Sequence, residues 1–92
     1  MDGVERIAAE RKRQIEEEGY TAEHDEQHEH GQLARAAACY CDLLWRSKRD
    51  TPPGWPWNEK SWKPTPDNRI RELEKAGALI AAEIDRLLRK EK

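Results

Sequence analysis

The 92-residue chain contains no apolar run of membrane length, no signal peptide and no lipidation signal, and it is expected to work in the cytoplasm. Its two cysteines, Cys39 and Cys41, do not form a C-x-x-C pair of the metal-binding kind. Two positions apart on a helix, their side chains point about 200° from one another. They cannot bridge locally and read as small packing residues. No stretch alternates apolar with polar residues as a strand does, which leaves an all-α chain. There is no G-x-S-x-G, no Cys-His constellation and no glycine-rich phosphate loop, so nucleophilic catalysis and P-loop chemistry have no carrier. Apolar material is scarce too, at 36% hydrophobic residues against 39% charged. One small helical domain over residues 1–92 then has a thin core. Self-association into a homo-oligomer is expected to supply the missing burial, unless tryptophan fills the deficit within a monomer.

Lysine and arginine are missing between residues 16 and 30. That stretch holds seven acids (Glu16, Glu17, Glu18, Glu23, Asp25, Glu26 and Glu29) and all three histidines. The rest of the chain carries all 17 bases against 12 acids, with a basic cluster at Arg46, Lys48 and Arg49. The net charge of −2 gives no argument for a nucleic-acid polymer or a membrane as partner. The acidic stretch and the basic helix ends are complementary within or between subunits, or else form solvated faces.

What is present is helical punctuation. Residues 3–18 fit an amphipathic helix with Val4, Ile7, Ala8, Arg11 and Ile15 on one stripe, stopped by Gly19. Thr21 is a candidate N-cap for a second helix, which starts near Ala22 or only after Gly31. From Leu33 through Ala37, Tyr40 and Leu44 the apolar steps are four, three and four, so this helix is expected to reach about Lys48. Thr65 is expected to cap a third helix, with Pro66 at its first position and Asp67 in its first turn. There Ile70, Leu73, Gly77, Ile80, Ile84 and Leu87 alternate by three and four, a pattern read as the core-facing seam. A glycine at the centre of such a seam costs up to about 1 kcal/mol against alanine, so a close approach by another backbone or a ring is expected at Gly77. Three helices with one long Pro/Trp-rich loop between the second and third is the predicted architecture.

That loop, Pro52 to Lys63, holds three of the four tryptophans and three of the five prolines. Proline sustains neither a helix nor a central strand, and so much aromatic surface is costly to leave wet. The rings either close the core over Gly77 and its neighbouring alanines or line a binding site. Trp55, Trp57 and Trp62, with Tyr20 and Tyr40 as neighbours, suit stacking on a flat heterocycle. Lys60, Lys63, Arg69 and Arg71 suit phosphate.

His24-Asp25-Glu26-Gln27-His28 sets two imidazoles four apart on one helical face, the spacing zincins use in H-E-x-x-H. Asp in place of Glu reaches less far toward a metal-bound water, and no third ligand stands at a fixed spacing. The plainer reading is a polar, pH-sensitive helix start. The His24-Asp25 dipeptide is also the sign of HD phosphohydrolases, but their further His ligands are missing beyond residue 30. An all-helical, MazG-like nucleotide hydrolase would hold Mg²⁺ on carboxylates such as Glu16, Glu17, Glu23, Asp25, Glu83 and Asp85. Its pair of faces, one E-x-x-E and one E-x-x-D, is not clearly present here. Glu83 and Asp85 read more simply as acids pairing with bases a turn away.

Glu10-Arg11, Arg13-Gln14-Ile15, Glu18-Gly19-Tyr20-Thr21 with Glu23-His24-Asp25 and His28, Trp55-Pro56-Trp57, Trp62-Lys63-Pro64 and Lys75-Ala76-Gly77-Ala78-Leu79-Ile80 together resemble a family. Its members are small accessory proteins encoded by tailed phages and prophages. The resemblance runs over most of the chain, with Tyr20 where the family more often has Trp and Glu26 where Asp is common. It implies a phage origin and, by analogy with small helical sponge proteins, a counter-defence role in an infected or lysogenic bacterial host.

The resulting expectation is a non-catalytic protein that binds and sequesters a nucleotide-like signal. Tyr20, His24, Asp25, His28, Trp57, Trp62, Lys63 and Arg69 are the candidate ligand-binding residues. No catalytic residue, metal ligand or cofactor is assigned. The alternatives are the MazG-like hydrolase and an interaction module that docks a host factor through its tryptophan loop.

Overall fold

The computed structural model describes residues 1–42 and 50–91. Their regular structure consists of α1 (Gly3–Glu17), α2 (Ala22–Glu26), α3 (Gln32–Cys41), a 3-10 turn at Glu59–Ser61, and α4 (Arg69–Lys90), with no strand among the described residues. None of these helices is long and apolar enough to cross a membrane. The basic cluster at Arg46, Lys48 and Arg49 lies outside the described residues.

Local chemistry explains where each helix begins. At α1, Asp2 accepts from the Glu5 amide at 2.9 Å while the Glu5 carboxylate accepts from the Asp2 amide at 3.0 Å, a reciprocal capping box. The helix stops before Gly19, whose φ of +74° suits a residue without a Cβ. The Thr21 hydroxyl accepts from the His24 amide at 3.3 Å and caps α2. Gly31 then takes φ +81°, off the right-handed helical path, and α3 starts behind it. The two alternative starts for a second helix are thus both used, and the described residues hold four helices where three were expected. α3 ends at Cys41, where Asp42 turns to extended backbone. The rest of the expected run, with Leu44, lies outside the described residues. Thr65 does not cap the last helix; its carbonyl closes a turn onto the Asn68 amide at 2.8 Å. Asn68 is the cap, accepting from the Arg71 amide at 3.1 Å.

α4 is the axis of the molecule, and α1, α2 and α3 all pack on it. The core consists of Leu33, Ala36, Ala37, Cys39 and Tyr40 of α3, Trp62 of the loop, and Ala76, Leu79 and Ala82 of α4. The side of α4 facing inward therefore runs through Glu72, Ala76, Leu79, Ala82 and Arg86. This overturns the expected core seam, because Ile70, Leu73, Ile80, Ile84 and Leu87 stand on the outside. The small alanines let the rings of Tyr40 and Trp62 approach, and the two buried charges have partners. Glu72 accepts from the Thr65 amide and from Arg69, and Arg86 donates to Glu83 at 2.7 Å.

The first helix is rotated from expectation in the same sense. Val4 is 78% exposed and Ile15 is exposed, while Glu10 and Gln14 are buried against the rest of the fold. Something does approach Gly77 closely, and it is the side chain of Ile7 rather than a ring. A Cβ built on Gly77 would stand 2.6 Å from Ile7 Cδ1.

Candidate functional site

The Pro/Trp segment is tied into one shape by its own polar groups. The Trp55 amide donates to the Pro52 carbonyl at 3.0 Å, and the Trp55 indole N–H is shared between the Asn58 carbonyl and the Ser61 hydroxyl at 3.1 and 3.2 Å. Asn58 also caps the 3-10 turn through the Lys60 amide at 2.8 Å. The rings lock edge to face: Trp55 meets Trp57 with centroids 5.4 Å apart, Trp62 at 4.9 Å and Tyr40 at 5.6 Å. Trp62, 7% exposed, is the core plug, and its buried indole N–H has no hydrogen-bond partner among the described residues.

Between this segment, α1 and α4 lies a cleft of about 120 Å³. Its lining combines aromatic rings, from Tyr20, Tyr40, Trp55 and Trp57, with polar groups, from Glu10, Arg13, Gln14 and Glu18 of α1 and its end and Lys75 of α4. Lys63, Ser61 and Leu79 complete the lining. An apolar cavity of about 150 Å³ accepts a benzene ring, so this cleft has room for one planar ring or one compact anion and not for a whole nucleotide.

The polar wall is already organised. Arg13 grips Glu10 with two hydrogen bonds of 2.8 and 3.0 Å and reaches Glu18 at 3.2 Å. Arg71 binds Glu10 from the far side at 2.6 Å and Glu74 at 3.1 Å. Burial pushes the Glu10 carboxyl up, but the hydrogen bonds from Arg13 and Arg71 outweigh it and hold the group below the usual carboxylate range. Gln14 donates to Glu10 at 3.3 Å and leaves its own Oε1 buried without a hydrogen-bond partner among the described residues. Burial pushes the Tyr40 hydroxyl up to about 12, so that ring stays neutral.

Lys75 is the unusual member. Its ammonium is half-buried, donates to the Lys63 carbonyl at 2.9 Å and lies 5.5 Å from the Tyr40 ring centroid. Among the described residues it forms no direct ion pair with a carboxylate: Glu10 and Glu18 are bound by arginines, and Glu10 and Glu72 act on the ammonium only at longer range. Burial lowers its pKa below the ordinary lysine value.

Of the residues singled out by sequence, Tyr20, Trp57 and Lys63 line the cleft. His24 and His28 form a stack that links two of its aromatic residues, Tyr20 and Trp57. Tyr20 lies flat on His24 at 4.5 Å, His24 meets His28 at 4.7 Å, and His28 meets Trp57 at 5.1 Å. The Trp57 indole donates to His28 Nδ1 at 3.3 Å. Asp25 is 0% exposed, held by Arg11 at 3.3 Å and by His24 Nδ1 at 2.9 Å. Arg11 also donates to the Tyr20 carbonyl at 3.3 Å, so Asp25 anchors the cleft wall from behind. Trp62 is in the core. Arg69 donates to the Tyr40 carbonyl at 2.9 Å and to the Cys41 carbonyl, closing the C-terminal end of α3.

Glu10, Gln14 and Lys75 were missed because each lies on a helix face whose apolar stripe points elsewhere. The available signal was the shortage of large aliphatic residues on α1, too few for a full apolar face. The carboxylates proposed for a metal are dispersed or paired: Glu83 with Arg86, Asp85 near Arg11 at 3.7 Å, and Asp25 as above. Among the described residues no group of three or more His, Cys, Asp or Glu is placed to hold a metal ion. One pairing of the acidic stretch with a basic helix end occurs within the chain, Arg89 to Glu26 at 3.0 Å.

Set against family models, curated proteins and solved structures, the chain matches none of them.

Proposed function

We infer that the protein binds a small anionic molecule with a flat ring, of nucleotide type, and releases it unchanged. The observation that carries this reading is Lys75, a half-buried ammonium among aromatic rings with no carboxylate partner among the described residues. A cation kept partly from water with carboxylates acting on it only at longer range, from Glu10 and Glu72, is costly, and an anion entering the cleft relieves part of that cost. In this arrangement the ring enters against Tyr20 and Trp57, and phosphate stays at the rim between Lys75 and Lys63. Affinity comes from stacking and charge.

The tailed-phage resemblance supports placing this binding in counter-defence. The protein sequesters a nucleotide-like signal in the cytoplasm of an infected or lysogenic host, acting as a homo-oligomer. Mass spectrometry of the protein incubated with linear and cyclic monophosphates of adenosine and guanosine tests the reading. Intact bound nucleotide supports it. Released products that depend on Mg²⁺ establish the hydrolase instead, and no bound nucleotide together with capture of one host protein establishes the docking module.

A further inference from the structure

Trp55 and Trp57, neighbours in the cleft lining, are held in different ways. Trp55 is fastened within its own segment, by its amide to the Pro52 carbonyl and by its indole to the Asn58 carbonyl and the Ser61 hydroxyl. Trp57 reaches across the fold instead. Its indole donates to His28 Nδ1 at 3.3 Å, and among the described residues this is the only hydrogen bond it makes. Its ring meets Trp55 at 5.4 Å and His28 at 5.1 Å, both edge to face. Trp57 lines the cleft, and His28 stands outside the lining.

The tautomers follow from the partners. An indole N–H can only donate, so Nδ1 of His28 carries the lone pair and the proton sits on Nε2. His24 is set the other way, with Nδ1 donating to the Asp25 carboxylate at 2.9 Å. A second proton on His24 goes to Nε2 and leaves that bond in place. A second proton on His28 goes to Nδ1, where two donors then face each other. The charged groups around this pair are already engaged. His24 and Asp25 of α2 act on His28 directly. Arg11 of α1 binds Asp25 at 3.3 Å and lies 3.7 Å from Asp85 of α4, while Arg86 of α4, acted on by Glu26 and Glu29, is bound by Glu83. The Pro/Trp segment meets His28 with the uncharged Trp57, and its Lys63 lines the cleft with Lys75.

Given a cleft that takes a flat anionic ring, the reading on which this step rests, we propose that His28 is a positioning residue for it. As a neutral imidazole it fixes Trp57 in the lining; as an imidazolium it releases the ring, and the ligand with it. Burial and His24 hold His28 below its ordinary value of 6.5, so Trp57 is fixed at neutral pH. The Tyr20 part of the lining has no such release, because Arg11 holds the Tyr20 carbonyl at 3.3 Å. Losing one stacking partner lowers affinity about 5- to 150-fold. Added charge works in the opposite direction, since a cation behind Trp57 draws an anion in, screened by water. Weaker binding in acid is therefore the mark of the lost ring.

Calorimetric titration with cyclic adenosine monophosphate at about pH 8 and about pH 5, the two ends of the histidine range, is the test. The phosphodiester has no second ionisation, so the probe keeps its charge between the two. Wild type is expected to bind at least about 5-fold more weakly in acid. His28→Asn puts an amide oxygen where Nδ1 stood and does not titrate, so its affinity is expected to be the same at both pH values. Should that variant not fold, Trp57→Phe keeps a ring without an N–H and is expected to lose the pH dependence in the same way. In the ligand-free protein, acrylamide quenching of tryptophan fluorescence is expected to rise in acid for wild type and not for His28→Asn. Equal wild-type affinity at both pH values overturns the role of His28 and leaves the cleft reading standing, as does an equal loss in acid in wild type and His28→Asn. Absence of binding at either pH overturns the cleft reading instead. Quenching then decides the positioning role alone, and wild-type quenching that does not change with pH overturns it.

Discussion

Replacing Lys75 with Met removes one charge from the cleft and keeps the length of the side chain. In the wild type the ammonium has the Lys63 carbonyl at 2.9 Å and the Tyr40 ring at 5.5 Å, and no carboxylate partner among the described residues. A hydrogen bond to a charged group contributes about 1.5–3 kcal/mol. Loss of that contact to a phosphate therefore weakens binding about 10- to 150-fold. The effect on folding is small by comparison. The lost bond to Lys63 is worth about 0.5–1.5 kcal/mol net and the cation–π contact about 0.5–1 kcal/mol, both offset by no longer keeping an ammonium partly from water. A net change within about 1 kcal/mol moves the melting temperature by no more than about 4–8 °C. Titration with the linear and cyclic monophosphates, read through the Trp55 and Trp57 fluorescence, measures the first quantity and a thermal melt the second. Unaltered affinity in a folded Lys75→Met protein refutes the reasoning. So does a collapse in melting temperature, which would make Lys75 a structural residue.

Three further outcomes follow from the packing. Gly77→Leu forces a side chain into the space of Ile7, whose Cδ1 already lies 2.6 Å from a Cβ at that position, and should destabilise the protein by about 1–3 kcal/mol. An unchanged urea midpoint would show that the contact gives way freely. Asp25→Ala removes the buried partner of Arg11, which keeps Asp85 at 3.7 Å and the Tyr20 carbonyl, and should cost about 1–3 kcal/mol, whereas a loss below about 0.5 kcal/mol in denaturant titration would mean the pair is not stabilising. His28 is held below its ordinary value of 6.5, by burial first and by His24 second. The unfolded chain then takes up the proton before the folded one, so stability is fully present above pH 6.5 and falls as the pH drops from there to the folded pKa. Protonation of Nδ1 also breaks the hydrogen bond from Trp57, so tryptophan fluorescence should change with a midpoint below 6.5. A fluorescence signal that is the same in wild type and His28→Ala across that range would refute the link.

Several elements were legible before any coordinates. The stop at Gly19 and the Thr21 cap rest on interactions within a few residues, and each stands where local chemistry puts it. The cap of α4 was misread by three residues because Thr65 and Asn68 both make good caps. The choice fell to Asn68 once the Thr65 amide and hydroxyl were engaged with Glu72 and the Asn68 carbonyl. Of the cleft, Tyr20, Trp57 and Lys63 were visible as aromatic or basic residues near the loop, while the Glu10–Gln14 wall was not.

Sequence by itself determined the all-α character, the stop at Gly19, the Thr21 cap and the existence of an apolar row on α4, because capping, glycine geometry and periodicity act over short range. Only the tertiary structure decided which face of α4 turns inward. Periodicity tells which side of a helix is apolar but not which neighbour reaches it. Here the rings of Tyr40 and Trp62 fit over small alanines, and arginines satisfy the carboxylates beside them. The polar face could therefore be buried, leaving Lys75 in the cleft and the aliphatic row outside.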